Sequence, residues 1–481
     1  MSQYLIDNAQ ILESPEEILS TMDKDGHRRW LYPTSSNGKY YRRRLIVGWA
    51  LIFFFVALPI IRINGHPAVL LNFMASEFSL FGLVFYPTDT LLLMLLGIGS
   101  ILSVILGTAL LGRIWCGWGC PQTVYLEFVY RPIERWIEGK EHVRKKRDAQ
   151  GLTLDKFWRK GLKFIIYTII SFALANVFVS YIVGWDSLIQ WMSHSPFDHM
   201  GFFWLMFITT GLMLFDFGYF REQMCIITCP YARMQSVLLD KDSLIVSYDP
   251  KRGEPRGHLK KAKQSEDSMI PLPVVGDCID CFACVRTCPT GIDIRNGLQM
   301  ECIACTQCVD ACDDIMDKVG KDRGLIRYTS ENALDGKPAK ILRPRVIIYA
   351  TLIVAIWGFL GASILMRSDY QVNITRHPSA PYIQLSPTEL MNRVRIRVRN
   401  QTGKPTNVNV EVNNPKGIRV QVIGAPTISL QPAEMKHFEA FVVIPSSAFN
   451  HKDQLDATFH FKFSDGSAVD KHFTLLGLSV Q

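Results

Sequence analysis

Long uncharged apolar runs alternate along this chain with stretches dense in Lys and Arg, and beyond about residue 370 the texture changes to short alternating strands. Five runs approach the roughly 20 apolar residues that carry a helix across a hydrocarbon core at 1.5 Å per residue. They are Leu45 to Ile61, Thr90 to Gly112, Phe164 to Trp185, about Met200 to Phe220, and Val346 to Met366. The fourth holds one acid, Asp216. Its Leu, Ile and Phe residues, at about −0.3 to −0.6 kcal/mol each, outweigh one Asp costing at most about +3 kcal/mol at mid-helix. The segment is expected to insert. An intramembrane acid is a functional candidate by default, and the alternative is an interfacial carboxylate that snorkels to the surface.

The flanks orient these spans. The first 44 residues hold seven Lys and Arg, the loop 113–163 holds twelve, and 221–345 is similarly basic, whereas loops 63–89 and 186–199 hold none. Positive residues near span ends stay on the cytoplasmic side. The expected plan is a cytoplasmic segment 1–44, four spans within 45–220, a cytoplasmic domain 221–345, a fifth span 346–366 and an outer domain 367–481. Residues 1–30 are polar and mixed in charge, unlike a cleaved signal peptide.

In the outer domain Arg393-Val-Arg-Ile-Arg-Val-Arg399 alternates strictly, placing Val and Ile on one face. Further runs at 408–412, 418–423, 437–444, 458–463 and 472–480 are separated by turn residues such as Asn400-Gln-Thr-Gly, Asn414-Pro and Asp465-Gly. About seven strands predict an immunoglobulin-like β-sandwich. The fold class is a multi-domain membrane protein with an α-helical membrane domain of about five spans, an α+β ferredoxin-like dicluster insert and a C-terminal all-β immunoglobulin-like sandwich.

The net charge of +8 could suggest phosphate binding. Its confinement to alternate loops makes it a topological signal instead, and no nucleic-acid role is expected. The cysteines change the picture more. All twelve lie between Cys116 and Cys312. The outer domain has none, so thiolate ligation in a reducing compartment fits better than disulfides.

Eight of them form two runs, Cys278-Ile-Asp-Cys281-Phe-Ala-Cys284-Val-Arg-Thr-Cys288-Pro289 and Cys302-Ile-Ala-Cys305-Thr-Gln-Cys308-Val-Asp-Ala-Cys312. Each is the C-x2-C-x2-C-x3-C pattern of bacterial two-cluster ferredoxins, in which the fourth cysteine of a run ligates the other cluster. By that rule Cys278, Cys281, Cys284 and Cys312 hold one [4Fe–4S] cluster. Cys302, Cys305, Cys308 and Cys288 hold the second. Zinc also binds Cys-x2-Cys pairs, but two complete four-cysteine runs in tandem argue against it. Asp313 stands where the pattern has proline, and acids at 310, 313 and 314 are expected to lower the nearby cluster's potential.

The remaining four form two Cys-x-x-x-Cys-Pro motifs, Cys116/Cys120 and Cys225/Cys229, each after an apolar run. Positions i and i+4 share a helix face, so the pairs side by side would present four thiols. These could bind Cu(I), work as a dithiol relay, or be structural cysteines beside tight Gly/Pro turns. His194 and His199 with Met192 and Met200 are a weaker copper candidate, and His66 weaker still. No haem-attachment run, Gly-x-Gly-x-x-Gly or Walker A loop occurs.

The paired Cys-x-x-x-Cys-Pro motifs, the two cluster runs with Thr287-Cys-Pro-Thr-Gly-Ile-Asp-Ile-Arg295 between them, and the C-terminal sandwich together resemble the CcoG family of cytochrome c oxidase accessory proteins, also called FixG or RdxA. The resemblance covers nearly the whole chain. It implies a bacterial inner-membrane protein, with cytoplasmic clusters and a periplasmic C-terminal domain, that takes part in making cbb3-type cytochrome oxidase by reducing Cu(II) to Cu(I). The implied partners are the membrane, copper ions or a copper chaperone, oxidase assembly factors and an electron donor that the sequence does not identify. Quinol-linked delivery to a periplasmic reductase, as in related membrane ferredoxins, and an assembly scaffold with structural clusters are the alternatives.

Overall fold

Uncharged runs in lipid can satisfy their backbone groups as helices, and among the described residues of the computed structural model four helices are long and apolar enough to cross a membrane: Thr90–Leu111, Leu154–Val183, Pro196–Phe220 and Pro344–Leu365. The structure describes residues 21, 27–63, 65–73, 77–85, 89–257, 276–378, 382–402, 404–414, 417–423, 427–431, 434–449 and 452–477. The expectation for residues 1–30 falls mostly outside them. The first expected run differs from the other four. Helix α1, Lys39–Ala57, starts six residues before Leu45, carries Lys39, Arg42, Arg43 and Arg44 at its head, and ends four residues before Ile61.

The chain divides into two compact units. The first, Met1–Ile61 with Pro67–Ser76 and Pro87–Leu360, joins the membrane helices to both cysteine runs. The early start of α1 has a distant cause. The amides of Tyr40 and Tyr41 donate to the Asp310 carboxylate at 3.1 and 2.7 Å, so an acid on helix α2, Gln307–Val319, caps the orphan donors of α1. A Cβ on Gly38 would lie 2.2 Å from the Asp310 carboxyl carbon, which is why glycine precedes the helix. Upstream, Thr34 N donates to Arg286 O at 2.9 Å and Thr287 Oγ1 to Thr34 O at 3.0 Å. Behind the cysteine runs, strands Ile245–Tyr248 and Ile326–Thr329 pair antiparallel, and Val246, Ile292, Met316 and Leu325 are buried among the thiols.

A few of the cations that read as topology, Arg131, Arg144 and Arg221 among them, are buried and paired. On the short helix Arg131–Glu138, Glu134 accepts from both terminal nitrogens of Arg221 at 3.1 Å each, with Arg144 at 2.5 Å and Lys163 at 3.4 Å. Burial opposes its ionisation, but Arg221, Lys163 and Arg144 outweigh that and hold the carboxyl well below its usual range. Arg131 pairs with Glu127 and, at 3.4 Å, with Glu222. Glu222 also meets Arg28 at 2.7 Å. Gln307 donates to Glu127 at 3.1 Å, which ties α2 to this network.

The second unit comprises Arg62–His66, Glu77–Tyr86 and Gly361–Gln481. Among the described residues nine strands make its sandwich: β1 Tyr370–Arg376, β2 Ile383–Ser386, β3 Glu389–Asn400, β4 Thr406–Asn414, β5 Arg419–Val422, β6 Ile428–Leu430, β7 Met435–Pro445, β8 Gln454–Phe463 and β9 Ala468–Leu476. One sheet runs β5-β7-β3-β1 with β2 also on β3, and the other runs β6-β4-β8-β9. The strict alternation in β3 buries Val394, Ile396 and Val398, while Arg393 and Arg395 turn outward to Glu439. Their partners across the ladder are Ala440, Phe438 and Lys436. Tyr370 stacks on Phe463 at 3.6 Å between centroids, joining the two sheets without a disulfide. A hairpin, Glu77–Leu80 with Leu83–Phe85, belongs to this unit although the sequence pattern reads as loop. Arg367 donates to Val84 O at 3.0 Å and holds it there.

Glu134→Ala leaves the fully buried Arg221 without its bidentate partner and is expected to destabilise the protein by about 3–5 kcal/mol. Chemical unfolding of the purified protein in detergent measures this. An unchanged midpoint would mean that the network is not a stabilising core.

Candidate iron–sulfur and thiol sites

The two cysteine runs share an unusual backbone. Asp280 and Phe282, flanking Cys281, have φ of 53° and 54°, and Ala304 and Thr306, flanking Cys305, have 51° and 61°. Four non-glycine residues thus occupy the left-handed region at equivalent places, each costing on the order of 1–3 kcal/mol. Left-handed residues in such loops can gather neighbouring peptide N–H groups into a concavity, a nest suited to anionic sulfur. The runs differ at their ends. Helix Ala283–Thr287 stops before Cys288-Pro289, whereas Cys312 lies inside α2. Proline at 313 would remove an N–H and clash with the carbonyl of Val309. Asp313 instead accepts from Gly324 N at 2.9 Å.

Each run of three is completed by the last cysteine of the other. One cavity is lined by Cys278, Cys281, Cys284 and Cys312, and a second by Cys288, Cys302, Cys305 and Cys308, with Cys284 on the walls of both. Among the described residues no three His, Cys, Asp or Glu side chains converge as ligands of a single ion would. Thiols spread around a cavity with backbone nests beside it fit an iron–sulfur cluster. Burial pushes the Cys284, Cys305 and Cys312 thiols up to about 12 and Cys302 to about 11. They stay protonated until metal displaces the proton.

The Cys-x-x-x-Cys-Pro motifs are built alike. Trp115–Gly119 and Met224–Thr228 each form a wide π-turn, closed by Cys120 N to Trp115 O and Cys229 N to Met224 O, both 2.8 Å. Such turns cluster at functional sites. Pro121 and Pro230 then start the following helices, where a missing N–H is no loss. The four thiols lie near enough to act on one another electrostatically, although no three of them converge on one point. Cys225 is pushed up to about 12 by burial first and then by Cys120, Cys116 and Cys229, with Arg113 opposing. Cys116 is also raised, by burial first, with Arg113 opposing and Cys120 and Cys229 adding to it. The Cys116 thiol donates to Gln235 Oε1 at 2.9 Å, and Gln235 Nε2 donates to Thr108 at 2.9 Å and Tyr231 at 2.6 Å.

The two cysteine systems touch. Cys116 is buried in one cluster with Ile303 and Cys305. A Cβ at Gly117 would stand 2.6 Å from Ile303 O and 2.9 Å from Ala304 O, so only glycine allows this approach. Arg44 Nε donates to Gly117 O at 3.0 Å, and Arg113 donates to Met300 O. Sequence pattern singled out none of Arg44, Arg113, Gly117, Tyr231 or Gln235, because long-range packing brings them here. Asp216 accepts from Gln122 at 3.0 Å, and the same amide donates to Arg221 O at 3.0 Å. His194 Nδ1 lies 2.8 Å from Gln190 O, and His199 packs on Trp191.

Comparison with known proteins places this arrangement. Residues 220–331 match the family described as a 4Fe-4S dicluster domain, and 93–144 match a 4Fe-4S binding domain. Residues 360–477 match the IG-like fold at the C-terminal of FixG. Protein RdxA of Cereibacter sphaeroides is 32% identical over 417 residues, covering 84% of this chain and 86% of RdxA. The chain belongs to the FixG/RdxA family. Within that family RdxB of the same organism is 32% identical over 423 residues, covering 84% of this chain and 87% of RdxB. Nitrogen fixation protein FixG of Rhizobium meliloti is 28% identical over 476 residues, covering 89% and 88%. A solved FixG-related protein from Vibrio parahaemolyticus matches at 15% identity and a TM-score of 0.20, covering 23% of this chain and 97% of that one. Like its family, the protein is a membrane-associated 4Fe–4S electron-transfer protein.

Two outcomes are expected. Gly117→Ala overpacks the junction and is expected to destabilise by about 1–3 kcal/mol, with loss of bound iron; full iron content and unchanged melting would refute the close approach. The pH response follows from Cys225, whose folded pKa of about 12 lies above the ordinary 9.0. The unfolded thiol ionises first, so the stability from burying it neutral is complete below pH 9 and lost as pH rises towards 12. Metal-free protein should melt at steadily lower temperature across that window, and Cys225→Ser should flatten the slope.

Proposed function

We propose that this protein reduces Cu(II) to Cu(I) during assembly of cbb3-type cytochrome c oxidase. One observation carries the reading: Cys116 is buried in one apolar group with Ile303 and Cys305, both of which line the cavity of Cys288, Cys302, Cys305 and Cys308. In this reading Cys278, Cys281, Cys284 and Cys312 hold one [4Fe–4S] cluster, and Cys288, Cys302, Cys305 and Cys308 hold the other. When bound, the clusters would supply one-electron redox chemistry. Cys116, Cys120, Cys225 and Cys229 would take copper as substrate, one electron per ion. Thiolate sulfur favours Cu(I) over harder ions, so the thiols stabilise the product, and the protons they hold leave on binding. Gln235 and Arg113 orient Cys116.

The distribution of Lys and Arg supports cytoplasmic clusters and a periplasmic C-terminal domain. The same reading names a copper chaperone and oxidase assembly factors as partners. A second reading has a specific observation behind it. Residues 93–144 match a 4Fe-4S binding domain yet contain only Cys116 and Cys120, so the four thiols could instead hold a third iron–sulfur group.

The double variant Cys116→Ser with Cys225→Ser separates these. It should keep about eight irons per chain, the content of two [4Fe–4S] clusters, yet stop reoxidising reduced clusters when Cu(II) is added anaerobically, as followed by electron paramagnetic resonance. Loss of about four irons would favour the third group. Undiminished Cu(II) reduction would remove these thiols from the route.

A further inference from the structure

We infer that Arg44 is a positioning residue for electron flow: its buried guanidinium raises the reduction potential of the group held by Cys288, Cys302, Cys305 and Cys308 above that of the group in the other cavity. The inference rests on the reading that both cavities hold clusters, and not on copper being the acceptor.

Three consecutive arginines open α1, and helical phase separates them. Arg42 and Arg43 are exposed, while Arg44 is fully buried. It shares its buried face with Gly48, one turn on, and its guanidinium lies 5.6 Å from the centroid of the Phe128 ring. Nε is satisfied by Gly117 O, but Nη1 and Nη2 have no hydrogen-bond partner among the described residues. Burying donors of a charged group without acceptors is costly. A residue needed only to tie α1 to the Gly117 turn would not require them. Its charge acts on Cys305 and on Glu127. Glu127 is already engaged by Arg131 and Gln307, so Arg44 has no carboxylate of its own.

The other cavity has the opposite balance. Its arginine, Arg295, pairs with Asp280 at 2.5 Å and Asp293 at 2.6 Å, and Asp313 acts on Cys312. There the cation is compensated by two acids, with a third close by. A group that gains an electron becomes more negative, so a nearby cation without an ion pair of its own favours reduction and nearby acids oppose it. Electrons entering at the Cys312 cavity would therefore move downhill to the Cys305 cavity, the one that abuts Cys116.

The test is a redox titration of the purified full-length protein, read by electron paramagnetic resonance, with Arg44→Gln and Arg44→Lys beside the wild type. Arg44→Gln should lower one midpoint by at least a tenfold fall in its reduction constant, about 59 mV for one electron, and leave the other in place. Arg44→Lys, which keeps the charge, should recover most of the loss. Two unchanged midpoints at wild-type iron content, or an equal shift in both, would overturn the inference. If Arg44→Gln fails to retain iron, Glu127→Gln removes an acid facing Arg44 and should raise the same midpoint. No rise would overturn the inference as well. Wild-type protein lacking cluster signals would remove the cluster reading and this inference together. Normal potential shifts in a protein inert to Cu(II) would sink copper reduction alone.

Discussion

Packing of the Trp115–Gly119 turn against the Ile303–Ala304 backbone, with no room for a Cβ at residue 117, turns two separate cysteine systems into one buried assembly. The contact is between backbones, so its geometry is stiff. It depends on α1 arriving at the right place, because Arg44 grips the carbonyl of Gly117 from that helix. Helix α1 in turn is capped by Asp310 from α2, the helix that carries Cys308 and Cys312. The chain of dependence closes on itself: cluster helix, capped helix, thiol turn, cluster loop.

A closed arrangement of this kind buries charge, and the protein meets that cost by pairing. Glu134 with Arg221, Arg144 and Lys163, and Glu222 with Arg28 and Arg131, form a network that is buried except at Arg28 and Lys163 on its rim. Buried pairs of this sort contribute less to net stability than to specificity of arrangement, since removing either partner strands the other. Arg44 stands out against that background because two of its donors have no partner among the described residues. The left-handed residues at 280, 282, 304 and 306 are a second local cost. Both are understandable where an anionic cluster is to be held.

Much of this was legible in advance because it is local. The spacing of Cys278 to Cys312, the alternation at Arg393 to Arg399 and the uncharged run from Thr90 each follow from the period of one element. The departures arise where distant groups intervene. α1 begins at Lys39 because Asp310 caps it from 270 residues away, the hairpin at 77–85 forms within the C-terminal unit, and Asp313 replaces proline because α2 runs on through Cys312.

The sequence by itself determined the apolar spans, the two cysteine runs, the two Cys-x-x-x-Cys-Pro turns and the sandwich core, since each is a repeat or spacing that one stretch of backbone can express. Tertiary structure alone decided which of three adjacent arginines is buried, that Arg113, Arg131 and Arg144 of the 113–163 loop lie in the interior, and that Cys116 is buried in one apolar group with Ile303 and Cys305. The physical reason is range. Backbone geometry acts over a few residues, whereas burial, charge pairing and van der Waals exclusion act between any atoms the fold brings together.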